Sequence, residues 1–201
     1  MATTIRPFEK MGKQAKKDLV ARLTKLGYDA MVYAFDKGVH SERRRNAKGG
    51  PISENYRKWL ISKGKNPNLA WDDVDGNLRD SFASAVYIDG KLETKTYLNP
   101  SPSSPHGRQV VDEYLRNIHP KGKNHITVIV VSAMKYTKYL ERGEHAGKYK
   151  IRIVSAARDF IDKNYWAYVY DVYKRFEIGK PQAKVVKGSV WDFTHYQYDN
   201  E

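Results

Sequence analysis

FASAVYIDGKLETKTYL, residues 82–98, carries the pattern of a β-hairpin. Phe82, Val86 and Ile88 alternate with Ala83, Ala85 and Tyr87, the period of two that sends successive side chains to opposite faces of a strand. Asp89-Gly90 then supplies a two-residue hairpin turn, whose central positions both need positive φ. Residues 91–98 return as a polar-faced partner strand.

Outward from this hairpin the chain alternates between helical and extended patterns. Residues 125–132, HITVIVVS, form the second clear strand, apolar enough to lie centrally in a sheet. Residues 7–37 read as one long helix. Met11, Ala15, Leu19, Leu23, Leu26, Ala30 and Tyr33 make its apolar stripe, with Pro7 in the first turn and Gly38 at the stop. Residues 153–176 read as a second long helix, carrying Ala157, Phe160, Ile161, Tyr165, Tyr168, Val169, Val172 and Phe176.

Shorter helices are expected after Ser53, over 108–118 and over 133–142. Residues 40–50, HSERRRNAKGG, and 99–107, NPSPSSPHG, read as loops. The order helix, hairpin, helix, strand, helix and tail predicts an α+β fold: a small antiparallel sheet packed against a long N-terminal and a long C-terminal helix. One domain is expected over 1–182, with insertions at 39–75 and 92–124, followed by a C-terminal arm over 183–201.

Composition narrows the functional classes. Cys is absent, so disulfides and thiolate metal sites are excluded. The first residues, MATTIRPFEKMGKQAKK, hold no apolar run suited to a signal peptide. No stretch approaches the ~18 apolar residues of a membrane span, so an intracellular, soluble chain with no membrane partner is expected. Lys and Arg number 36 against 23 Asp and Glu, a formal charge of +13 that favours an anionic partner. Lys13, Lys16 and Lys17 lie mostly off the apolar stripe of the first helix. They are either a solvated face or a contact for DNA or an acidic neighbour. Arg43, Arg44, Arg45 and Lys48 stand in the same two-way position, gripping phosphates or solvating a loop.

Signatures of catalysis are missing: there is no G-x-S-x-G elbow, P-loop, H-E-x-x-H or Cys nucleophile. Asp72, Asp73 and Asp75, helped by Glu93 or Glu141, are the one candidate Mg²⁺ cluster, and turn capping before Gly76 is the competing reading. Glu141 and His145 are spaced i, i+4 but separated by Gly143, and His106, His119 and His125 share no ligand spacing. No enzyme activity, metal or cofactor is therefore expected.

Two short segments go further. Gly76-Asn77-Leu78-Arg79-Asp80-Ser81 is similar to the G-x-L-R-x-S signature of the bacteriophage tail-completion, or head–tail connector, family. Residues 136–143, YTKYLERG, resemble that family's second signature, Y-A-x-Y-V-E-x-G, through Tyr136, Tyr139, Leu140, Glu141 and Gly143. Thr137 stands where the family has Ala, and Arg142 follows Glu141 where it has an aromatic. The resemblance implies a structural subunit of the phage neck, made in the cytoplasm of a bacterial host and resident in the virion. It implies self-assembly into a cyclic ring of roughly six or twelve copies, stacked with portal or adaptor and tail proteins around the DNA channel.

Within the motifs, Leu78 is expected to anchor in the core and Arg79 to point outward, with Ser81 starting the strand. Tyr136, Tyr139 and Leu140 are expected to pack on the sheet, leaving Glu141 to pair with Arg79 or a neighbouring subunit. Residues 98–107 and the aromatic tail, with Trp191, Phe193, Tyr196 and Tyr198, are the expected contacts with adjacent rings. The competing functional readings are a non-specific nucleic-acid-binding protein and, behind it, a Mg²⁺-dependent nuclease.

Overall fold

Val, Ile and Thr fill six of the seven positions of ITVIVVS, and together they make a strand that is buried along its whole length. It is the centre of the architecture. In the computed structural model, residues 2–6, 12–36, 50–64, 67, 77–102, 105–120, 125–142, 152–177 and 182–186 are described. They form β1 (Ala2–Arg6), α1 (Lys13–Phe35), α2 (Glu54–Ser62), α3 (Asn77–Asp80), β2 (Phe82–Ile88), β3 (Lys91–Tyr97), α4 (Pro105–Asn117), β4 (Ile126–Ser132), α5 (Lys135–Arg142), α6 (Val154–Arg175) and β5 (Gln182–Val186).

The strands lie in the order β3-β2-β4-β1-β5, and every pairing is antiparallel. The three-stranded heart, β3-β2-β4, is the sheet expected from sequence; β1 and β5 extend it past β4. Asp89 and Gly90 both take positive φ, +50° and +81°, so the tip of the hairpin has the left-handed pair that a type I′ turn requires. The Asp89 carboxylate accepts from the His125 amide at 3.0 Å, and the Asp89 amide donates to the His125 carbonyl at 3.0 Å. These two bonds tie the turn to the entry of β4.

The two faces of the sheet are covered differently. Phe82, Val86, Ile126, Val128 and Val130 face α1 and α6, where they meet Leu19, Leu23, Leu26, Ala157, Ile161, Val169 and Val172. Ala83, Ala85, Tyr87, Ile129 and Val131 face α4, where they meet Val111, Tyr114 and Leu115. The result is three layers, helix pair, sheet and single helix. Each fully buried aliphatic side chain contributes about 1.5–3 kcal/mol. Small residues let the layers close. A Cβ on Gly27 of α1 would stand 1.9 Å from the Ser84 hydroxyl, so any larger residue there forces α1 or Ser84 to shift.

α1 and α6 run antiparallel. Asp18 meets Arg175 and Arg22 meets Asp171, while further along Asp29 accepts from the Tyr168 hydroxyl at 2.6 Å and the Tyr33 ring lies tilted against that of Phe160. These partly exposed ion pairs are each worth less than about 1 kcal/mol, so apolar burial holds the pair and the charges set its alignment.

Three expectations are corrected. The first helix starts at Lys13, because Gly12 is extended (φ −63°, ψ 161°); residues 7–11 lie outside the described residues. A strand, β1, precedes it, although none was expected there. Residues 105–107 are helical, since Pro105 opens α4 with the fixed φ and missing N–H that suit a first turn. In addition, β5, at the start of the expected C-terminal arm, pairs with β1 in the sheet. Among the described residues, no helix is long and apolar enough to cross a membrane.

Candidate functional site

Because β2 and β4 are antiparallel, the beginning of one lies beside the end of the other. Phe82 pairs with Ser132, and the Ala133 amide donates to the Ser81 carbonyl at 3.2 Å. The segment 76–81 ends where β2 begins, and α5 starts just after β4 ends. The two motif segments, distant in sequence, therefore meet at one end of the sheet.

Each motif residue at this corner does a structural task. Leu78 is 1% exposed and shares a core with Leu140. The Ser81 hydroxyl and amide both donate to the Leu78 carbonyl, at 2.9 and 3.2 Å, closing the turn of α3 before β2 departs. Arg79 is exposed. Thr137 is buried, with its hydroxyl 2.9 Å from that of Ser132; a threonine here gives the buried Ser132 a partner that an alanine would not.

Two packing expectations give way. Tyr139 is 44% exposed and does not pack on the sheet. Glu141 caps α6: Oε1 accepts from the Ile153 amide at 2.5 Å and the Ser155 amide at 3.1 Å, and Oε2 accepts from the Ser155 hydroxyl at 2.7 Å. Ile153, the residue before the first turn of α6, offers no side-chain acceptor of its own. A carboxylate brought from α5 satisfies the orphan N–H groups and complements the positive end of the helix dipole. Gly76, Gly143 and the side chain of Tyr136 lie outside the described residues.

A polar chain runs from this corner to α4, and it was not anticipated. Asp80, fully buried, accepts from the Asn99 side-chain amide at 2.6 Å. The Asn99 carbonyl accepts from the Arg108 guanidinium, which lies 3.5 Å over the Tyr97 ring. Tyr97 and Lys95 both donate to Oδ1 of Asp112, the lysine at 2.5 Å. Burial pushes the Asp112 carboxyl up. The hydrogen bonds from Lys95 and Tyr97 and the charges of Lys95 and Arg108 outweigh that push, so it sits below the usual carboxylate range. Burial and the bond to Asp112 push the Tyr97 hydroxyl up. The described part of 98–107 is therefore anchored to the body at Asn99 and Arg108, not loosely held as its composition suggested.

The basic candidates divide. Lys13 and Lys17 are exposed on the first two turns of α1, the first of which holds no acidic residue. Lys16 is half-buried beside them. Arg22 and Lys25 are engaged with Asp171 and Asp29. Arg43, Arg44, Arg45, Lys48, Trp191, Phe193, Tyr196 and Tyr198 lie outside the described residues, as do Asp72, Asp73, Asp75 and His145. Among the described residues, no group of three or more His, Cys, Asp or Glu could hold a metal ion. Glu93 sits on the edge strand β3, and Glu141, on α5, is engaged in capping α6.

The helix expected after Ser53 is α2, but the exposure of its aromatic side chains was not anticipated. Ser53 caps α2 by accepting from the Tyr56 amide at 3.3 Å, and of the helix only Leu60 is buried. Tyr56, Trp59 and Ile61 are exposed.

No family model, curated protein or solved structure matches the chain.

Proposed function

We propose that the chain is a non-enzymatic structural subunit of a phage head–tail neck, assembling into a ring below the portal around the DNA channel and joining head to tail. One observation carries the reading. The two segments that resemble the connector signatures converge on one end of the sheet, where Ala133 bonds to Ser81 and Glu141 caps α6. Their residues tie strands to helices, which is what a scaffold signature needs and an active site does not.

The architecture suits a ring subunit. The sheet is held rigidly between helices on both faces, so surface contacts with neighbours act on a stiff body. A closed ring needs two different, complementary surfaces on each copy. Along β3 the outer edge carries the exposed Lys91, and the register with β2 shifts between Val86 and Tyr87; such a lysine and irregularity guard an edge against indiscriminate pairing. Arg79, Tyr139 and Arg142 present exposed side chains near the motif corner, a natural place for contact with an adjacent ring. Lys13 and Lys17 are suited to an acidic neighbour or to channel DNA.

The test is to purify particles from cells that carry the gene and locate an epitope-tagged chain by immunoelectron microscopy. Label at the head–tail junction is expected. Particles that form joined heads and tails without the chain would refute the proposal.

A further inference from the structure

We propose that α2 is a stacking platform for single-stranded nucleic acid. Tyr56 and Trp59, one turn apart, stack on each other with centroids 5.6 Å apart and ring planes 13° from parallel. Trp59 is nevertheless 48% exposed and Tyr56 41%. An amphipathic helix normally turns such rings inward, but α2 turns only Leu60 inward and leaves two aromatic rings and Ile61, 57% exposed, in water. Large exposed aromatics are costly to keep unless something covers them.

Charge decides what that something is. Lys63, four residues after Trp59 and seven after Tyr56, is exposed on the helix face of the rings, Lys58 is exposed on the flank of that face, and Glu54 is the single acidic residue of the helix. Over the described residues 50–64 Arg57, Lys58 and Lys63 stand against Glu54 alone. An anionic partner with flat apolar faces meets both requirements. Nucleobases continue the Tyr56–Trp59 stack, and backbone phosphates lie against Lys58 and Lys63. A base in a duplex has its faces already stacked, so the strand that fits is single. The inference does not depend on the neck reading, since ring assembly and base stacking use different observations and are measured separately.

Fluorescence anisotropy with a labelled oligothymidylate, and with a duplex of matching length, tests it on the full chain. Single-stranded probe is expected to bind more tightly than duplex. Trp59→Ala is expected to weaken the single-strand affinity roughly five- to hundredfold, with Trp59→Phe retaining most of it. Lys58→Gln with Lys63→Gln is expected to flatten the dependence of log affinity on log salt by about 0.7 for each phosphate no longer neutralised. Circular dichroism confirms that each variant is folded, and exposure of all three residues makes that the expected result. Unchanged affinity in Trp59→Ala, tighter binding of duplex, or no salt-dependent binding by the wild type overturns the proposal. So does a Trp59→Ala variant that loses self-association while its affinity for the probe stays the same, because α2 is then a protein interface.

Discussion

Glu141 and Ile153 meet across the segment that separates α5 from α6, the carboxylate Oε1 accepting from the Ile153 amide at 2.5 Å. The last turn of one helix thus sets where the next begins, and the second connector-like signature becomes a device for fixing the C-terminal helix on the sheet.

Removing this cap has a defined cost. Glu141→Ala is expected to destabilise the chain by about 1–3 kcal/mol, since helix-cap acceptors and hydrogen bonds to charged groups fall in that range. For a chain of this length each kcal/mol lowers Tm by about 2–4 °C. Glu141→Gln keeps an acceptor oxygen and loses the charge, so its Tm is expected between the two. Thermal unfolding followed by circular dichroism reads the order directly; an alanine variant as stable as the wild type would refute the capping role.

Gly27 and Ser84 form the tightest seat between α1 and the sheet. Gly27→Ala is expected to cost about 1–3 kcal/mol through overpacking, despite the better helix propensity of alanine. The Ser84 hydroxyl is buried and makes no hydrogen bond among the described residues. Ser84→Ala alone is therefore expected to be neutral or stabilising. Combined with Gly27→Ala it removes the 1.9 Å approach and leaves one of 2.9 Å to the Ser84 Cβ, so it recovers part of the loss. A double-mutant cycle in urea checks this, and additive effects would contradict it.

Acid stability carries the mark of Asp112. Its carboxyl lies below the ordinary range in the folded chain, so the unfolded chain takes up the proton first as pH falls. The stabilisation is complete at neutral pH and is lost below the unfolded carboxylate value of about 4. Asp112→Asn is expected to lower stability at pH 7 and to flatten its decline below about pH 4. Parallel pH dependences for the two proteins would count against the Lys95–Tyr97–Asp112 network.

At the alkaline end buried phenols govern. Burial pushes Tyr87 up to about 12, with its hydroxyl donating to the Leu115 carbonyl at 2.7 Å; burial and then Tyr165 push Tyr173 to about 12. The folded chain keeps these protons after the unfolded chain has released them near about pH 10, so stability falls between about pH 10 and about 12. Phenolate absorbance from Tyr87 and Tyr173 is expected to appear together with loss of helical signal. Full titration of all tyrosines in a chain that stays folded would overturn this.

What the sequence disclosed follows from what is local. The strand at 82–88, the Asp89-Gly90 turn and the strand at 126–132 were legible because period and turn chemistry are written within a few residues. β1 was not, since its five residues are too few for a periodic pattern and only Thr3, Thr4 and Ile5 hint at extension. Pro105 was hidden by NPSPSSP, in which one proline opens a helix and its neighbours do not. At the candidate site, the positions of the motifs could be read, but their partners could not. Glu141 reaches Ile153, Thr137 reaches Ser132, and Asp80 reaches Asn99 only after folding has brought them together. The exposure of Trp59 is likewise tertiary, because its helical spacing with Tyr56 looks the same whether that face is buried or bare.

The proposed function requires that copies of this chain close into a ring around DNA. Cryo-electron microscopy of the purified chain, alone and mixed with a phage portal protein, tests the proposal. A closed ring with a central channel in at least the mixed sample, its subunits built on the β3-β2-β4 sheet between α1–α6 and α4, is the predicted result. Single compact subunits in both samples would contradict it.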